Sequence, residues 1–186
     1  MAGKIVDETA TLTELGPEQL RVLNTLVIVD NLPMLGIFRN VLGELGIRNV
    51  WHGRTAQEVV QILMSEPIDL VIIDDYAPLD GVKFLKTLRK GSSKLPNAVP
   101  VMFVTAVAER ERIVAARDAG ANEIMLKPFT AAQLTARLTT TVKKPREFVE
   151  ANAYVGPDRR RKRDDAAALN RRDGDGAGER RDRRGS

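Results

Sequence analysis

Between Thr25 and Val142, short apolar runs alternate with segments of helical period. The runs Leu26–Val29, Val50–His52, Leu70–Ile73, Val101–Val104 and Glu123–Leu126 predict strands, and four of the five are apolar throughout or nearly so, as strands buried on both faces must be. Between the first two runs, Met34, Leu35, Phe38, Val41, Leu42 and Leu45 recur at three- and four-residue spacing, with Pro33 at the start of the helix they predict and Gly46 at its end. Thr55-Ala56-Gln57-Glu58 reads as a capping box opening a second helix, with Val59, Val60 and Leu63 inward. Gly81–Lys90 and Glu109–Ala119 predict the third and fourth helices, and Gly120 ends the latter. Thr130-Ala131-Ala132-Gln133 is another capping box, opening a last helix with Leu134, Leu138 and Val142 on one side. Strand–helix repeats joined by right-handed crossovers predict an α/β fold: a doubly wound, five-stranded parallel sheet with helices on both faces. Residues 1–24 read as an arm, with Pro17–Leu23 a short helix against the domain. Residues 25–142 form that domain, 143–155 a linker and 156–186 a tail.

The 186 residues suffice for one domain and an appendage. Hydrophobic residues at 43% and charged residues at 29% describe a globular chain rather than a fibre or a membrane protein. No window approaches the ~18 apolar residues of a membrane-spanning helix, and Met1–Glu8 has neither a basic leader nor an apolar signal core, so a cytoplasmic location is expected. With no cysteine and the single histidine His52, disulfides, thiolate catalysis, Cys-ligated zinc and His clusters are excluded. Charge sharpens the domain boundary. Residues 156–186 hold 11 of the 29 Lys and Arg and 7 of the 25 acids, which is the whole of the net +4, so the body before them sums to zero. That tail has almost no apolar residues beyond Ala166–Leu169 and is predicted to be disordered.

In an open parallel sheet, ligands bind beyond the carboxyl ends of the strands. The polar residues there are Asp30-Asn31 after the first run, Asp74-Asp75 after the third, Thr105 after the fourth and Lys127-Pro128 after the fifth. Paired carboxylates suit a hard cation such as Mg2+, which keeps open positions for phosphate. A carboxylate beside that ion can act as a nucleophile toward phosphorus, with a hydroxyl and an ammonium holding the phosphoryl oxygens. Asp75 reads as a solvated loop carboxylate. His52 reads as a surface or partly buried side chain, and Trp51 as core or interface packing.

From about Thr25 to Val142 the sequence resembles the CheY-like response-regulator receiver domains of bacterial two-component signalling. The resemblance is carried by Val27-Ile28-Val29-Asp30-Asn31, by Asp69-Leu70-Val71-Ile72-Ile73-Asp74 with Pro78 and Asp80-Gly81, by Thr105-Ala106, and by Ala119-Gly120-Ala121 leading into Lys127-Pro128-Phe129. It implies a flavodoxin-like strand order 2-1-3-4-5. It implies that Asp74 accepts phosphoryl from a histidine kinase or phosphotransfer protein, that Asp30 and Asp74 bind Mg2+, and that Thr105 and Lys127 bind the phosphoryl group. Pro128 would follow a cis peptide bond. Three departures stand out. One of the two acids usual at the end of the first strand is missing, with either Val29 or Asn31 in its place. The Asp74–Gly81 loop is one residue shorter than is typical, and Ile124 stands where many receivers carry an aromatic readout residue.

Two functions follow. The first is a stand-alone, non-enzymatic response regulator that presents the surface of its fourth helix, fifth strand and fifth helix to a downstream protein, with flagellar or chemotaxis machinery a candidate. The second is a degenerate receiver that takes no phosphoryl group and serves as a docking module. The 44 residues after Val142 are too few and too charged for a DNA-binding output domain, so specific DNA binding is not expected. In the tail, Arg159, Arg160, Arg161 and Arg163 beside Tyr154 form an arginine cluster suited to an anion or a cyclic dinucleotide such as cyclic di-GMP. Arginine-rich extensions of this kind occur on some receivers that bind that messenger. Phe148 and Val149 are expected to pack back on the domain.

Overall fold

In a computed structural model of the chain, residues 20–75, 79–91, 95–143, 146–151 and 154–158 are described. Five strands and five helices alternate: β1 (Asn24–Ile28), α1 (Leu32–Glu44), β2 (Asn49–Gly53), α2 (Ala56–Ser65), β3 (Leu70–Asp75), α3 (Gly81–Lys90), β4 (Val101–Thr105), α4 (Arg110–Asp118), β5 (Glu123–Leu126) and α5 (Ala131–Lys143). All neighbouring strands pair in parallel, and the sheet order is β2-β1-β3-β4-β5, as expected.

Because successive strand residues face opposite sides of a sheet, each continuously apolar strand feeds two cores. On one side, Val27, Ile72 and Val104 meet Leu35, Phe38 and Leu42 of α1 and Leu134 and Leu138 of α5. On the other, Ile28, Ile73 and Phe103 meet Val59 and Leu63 of α2, Leu85 and Leu88 of α3 and Ala116 of α4. The two predicted capping boxes form: Thr55 and Glu58 cap α2 reciprocally, and Thr130 and Gln133 cap α5. Asn31, read as a site position, instead caps α1, its Oδ1 accepting from the Met34 amide at 2.9 Å. Of the arm, Leu20 and Leu23 are buried against the α1–α5 side, and residues 1–19 lie outside the described residues. Trp51 stands on the edge strand β2 and is 37% exposed, so it is no core residue, and the His52 ring nitrogen bonds the Val29 carbonyl.

One buried group of β1 is left without a partner. Thr25 is fully buried, and its hydroxyl finds no hydrogen bond among the described residues. Since an unsatisfied buried hydroxyl costs more than an isosteric methyl, Thr25→Val is expected to raise stability by about 1 kcal/mol, read as a higher urea midpoint with unchanged slope.

The expected linker is the main correction. Phe148–Ala151 (β6) and Tyr154–Pro157 (β7) pair as an antiparallel hairpin that runs past the predicted 155/156 boundary into the first residues of the tail. It docks on the ends of α3 and α4 through Arg89, which is 2% exposed. Arg89 donates Nε to Gly120 O at 3.0 Å, Nη1 to Val99 O at 2.8 Å and to Asn97 O, and Nη2 to Asn122 Oδ1 at 3.0 Å. Phe148 lies over the guanidinium at 5.5 Å, while Val149, expected to pack inward, is exposed. Burial lowers the Arg89 pKa to about 10, against the raising influence of Tyr154, so it stays cationic at neutral pH. Gly120 makes the approach feasible. It has φ +99°, and a Cβ there would meet Arg89 Nε at 3.0 Å and Val155 O at 3.1 Å.

Candidate functional site

The carboxyl ends of β3, β4 and β5 lie in register: Asp74 pairs with Val104, Asp75 with Thr105, and Thr105 with Leu126. Two adjacent acids at the end of one strand must point to opposite faces. That alternation splits the predicted site into two networks.

On the α1–α5 side, Asp74 is 2% exposed and takes the Lys127 ammonium at 2.5 Å on Oδ1. Lys127 is fixed by its own backbone, whose amide donates to Thr105 O at 2.8 Å, and by the Lys127–Pro128 peptide, which is cis. Phe129 follows and stacks on Phe38 of α1 with centroids 6.3 Å apart. Among the described residues this carboxylate is bonded through one oxygen to an adjacent cation, which leaves its second oxygen for reaction.

On the α3–α4 side lies Asp75, and here the reading of a solvated loop carboxylate is overturned. β3 runs one residue further than its apolar run, and the Asp75 side chain is 4% exposed. It accepts from Thr105 Oγ1 at 3.1 Å, from the Gly81 amide at 3.3 Å and from Arg112 through Nε at 2.8 Å and Nη2. Such a carboxylate is buried because a bidentate guanidinium accompanies it. Arg112 also donates to Asp80 at 3.2 Å, and Asp80 caps α3 through the Val82 and Lys83 amides. The Lys83 amide first, and then Arg112, hold the Asp80 carboxyl below its ordinary pKa, while the hydrogen bonds to Asp75 push Arg112 above its own. Arg112 was not singled out by the sequence. The available signal is its position four residues before the buried Ala116, which puts it on the inward face of α4.

Other predicted site residues are distributed as follows. Thr105 bonds Asp75, and its oxygen also accepts from the Val107 amide at 3.0 Å. Asp30 turns to Arg54 at 3.4 Å, a loose pair between half-exposed side chains. Val29 is fully buried in the α1–α5 core, on the face that carries Asp74, so the β1 position beside Asp74 is apolar, and Asn31 serves as a helix cap. Ile124 packs, partly buried, against the α2–α4 side. Pro78, Arg159, Arg160, Arg161 and Arg163 lie outside the described residues.

Among the described residues, no three His, Cys, Asp or Glu side chains gather into a group that would hold a metal by themselves. A magnesium ion takes only one or two carboxylates from protein and fills its shell with water and phosphate; the Asp74 oxygen that does not take Lys127 is a donor of that kind, whereas Asp30 is turned to Arg54. The exposed Asp30–Arg54 pair is of a kind that contributes about 0–1 kcal/mol.

The response regulator receiver domain family matches residues 25–139, more than half of the chain. The chain is 33% identical over 117 residues to chemotaxis protein CheY-3 of Vibrio cholerae, covering 62% of this chain and 88% of that one. It is 33% identical over 122 residues to the KDP operon transcriptional regulatory protein KdpE of Escherichia coli, covering 65% of this chain and 52% of that longer protein. Among solved structures, a response regulator from Thermotoga maritima superposes with a TM-score of 0.58 at 25% identity, covering 66% of this chain and all of its own. The receiver domain of the sensor histidine kinase PA1611 from Pseudomonas aeruginosa PAO1, with a magnesium ion in its active-site cleft, superposes with a TM-score of 0.56 at 24% identity, covering 64% and 97%. Among the described residues, no helix is long and apolar enough to cross a membrane.

Proposed function

Since the chain belongs to the response regulator receiver domain family, we propose that it is a phosphoryl-accepting switch whose acceptor is Asp74. The observation that carries this reading is the buried Asp74 carboxylate at the β3 carboxyl end with the Lys127 ammonium 2.5 Å away. An Asp74 oxygen attacks the phosphorus of a phosphohistidine on a partner kinase or phosphotransfer protein. The new O–P bond makes an acyl phosphate, the N–P bond breaks, and the departing imidazole keeps the electron pair and takes up a proton. Lys127 holds the transferred oxygens, and Thr105 donates its hydroxyl to one of them once the group is in place. Asp30 and Asp74 would hold Mg2+, which supplies charge neutralisation at the transferring group.

The output is a protein contact on the surface of α4, β5 and α5, next to the switch. Val107 and Leu126, 39% and 40% exposed at the ends of β4 and β5, offer it apolar anchors. On this reading the chain works in the cytoplasm, with the kinase's ATP, and is a signalling module rather than an enzyme acting on a separate substrate.

Acetyl phosphate with Mg2+ tests the proposal. The intact protein is expected to gain the mass of one phosphoryl group, to lose it to hydroxylamine as acyl phosphates do, and to gain none in EDTA. A well-folded protein that gains no mass at any donor concentration overturns the proposal in favour of a phosphorylation-independent docking module.

A further inference from the structure

Thr105 has one hydroxyl proton, and Asp75, an acceptor only, receives it; the hydroxyl oxygen meanwhile accepts from Val107. Under the reading above, that same proton must turn to a phosphoryl oxygen on Asp74, so the two acceptors compete for it. Asp75 is too buried for water to replace the lost bond freely. It is also braced on both sides, by the Gly81 amide at the start of α3 and by Arg112 on α4, which Asp80 holds in turn. The brace therefore ties the ends of β3 and β4 to the first turns of two helices.

We propose that Asp75 and Arg112 are positioning residues that latch the Thr105 hydroxyl away from Asp74 in the unphosphorylated protein and set how readily a phosphoryl group captures it. This rests on Asp74 as the acceptor. The two residues act in opposite senses. Asp75 supplies the competing acceptor. Arg112, through two bonds, draws charge from that carboxylate and weakens its hold on Thr105, so its loss leaves Asp75 a stronger rival.

Three-bond couplings to Thr105 Cγ2 report its χ1 rotamer, and a titration with beryllofluoride in Mg2+ reports capture; both use the full chain. The wild type is expected to hold Thr105 in one rotamer. Asp75→Leu should average that rotamer and bind beryllofluoride about tenfold more tightly, the scale of one released charged hydrogen bond. Arg112→Gln should keep one rotamer and bind severalfold more weakly. Unchanged couplings in Asp75→Leu, or affinities that move in the same direction in both variants, overturn the latch. If Asp75→Leu does not fold, Asp75→Asn, a neutral and weaker acceptor of the same shape, must show the same averaging or the latch fails. A wild type that takes up no beryllofluoride sinks the acceptor reading instead, and the couplings still decide the latch.

Discussion

Asp74→Asn is expected to lose phosphoryl uptake from acetyl phosphate by on the order of 10³-fold or more, while folding as the wild type does. The amide keeps the shape of the carboxylate and removes both its negative charge and its nucleophilic oxygen. Lys127 is 23% exposed at its side chain, so its ammonium can reach water when the charge beside it is gone, and little stability is lost. Intact-mass measurement over a time course, with a urea melt on the same sample, separates the chemical loss from any folding defect. Uptake at the wild-type rate would move the acceptor elsewhere. Asp75 is the neighbouring carboxylate, but its oxygens are occupied by Arg112, Thr105 and the Gly81 amide.

The second large effect falls on stability. Arg89→Ala removes the donor for the carbonyls of Asn97, Val99 and Gly120 and for Asn122 Oδ1, and it takes away the platform under Phe148. Several buried acceptors left unsatisfied make a loss of about 3 kcal/mol the expected outcome in urea unfolding, together with faster amide exchange in β7. Arg89→Lys should recover little of it, because a single ammonium cannot span four acceptors arranged around a planar fork. An Arg89→Ala protein of wild-type stability, with β7 still protected from exchange, would mean that the hairpin is held by other contacts.

The sheet order and both helical layers were legible because buried parallel strands read as unbroken apolar runs and α2 and α5 announce themselves with capping boxes. Asp74 and Lys127 were legible because each ends such a run. Asp75 was not, since apolar patterning ends β3 at Ile73, whereas the ladder continues to Asp75 opposite Thr105. The burial of its side chain rests on the distant Arg112, whose helical spacing from Ala116 marks it as inward-facing but names no partner. The hairpin was hidden for a similar reason. Phe148–Ala151 is short and mixed in character, and its docking surface is a helix-end arginine and a positive-φ glycine far away in the chain. In both cases the missing information is a long-range charge or backbone contact, which periodicity does not carry. The apolar Val29 was visible as a departure, and the structure adds that it occupies Asp74's own face of the sheet.

The most direct test of the account is an amide NMR titration of the full chain with Mg2+ and then beryllofluoride, run beside Asp74→Ala. The account predicts shifts centred on Asp30, Asp74, Thr105 and Lys127 that reach saturation in the wild type and vanish in the variant. A flat titration on a well-dispersed spectrum, or the same shifts in Asp74→Ala, would contradict it.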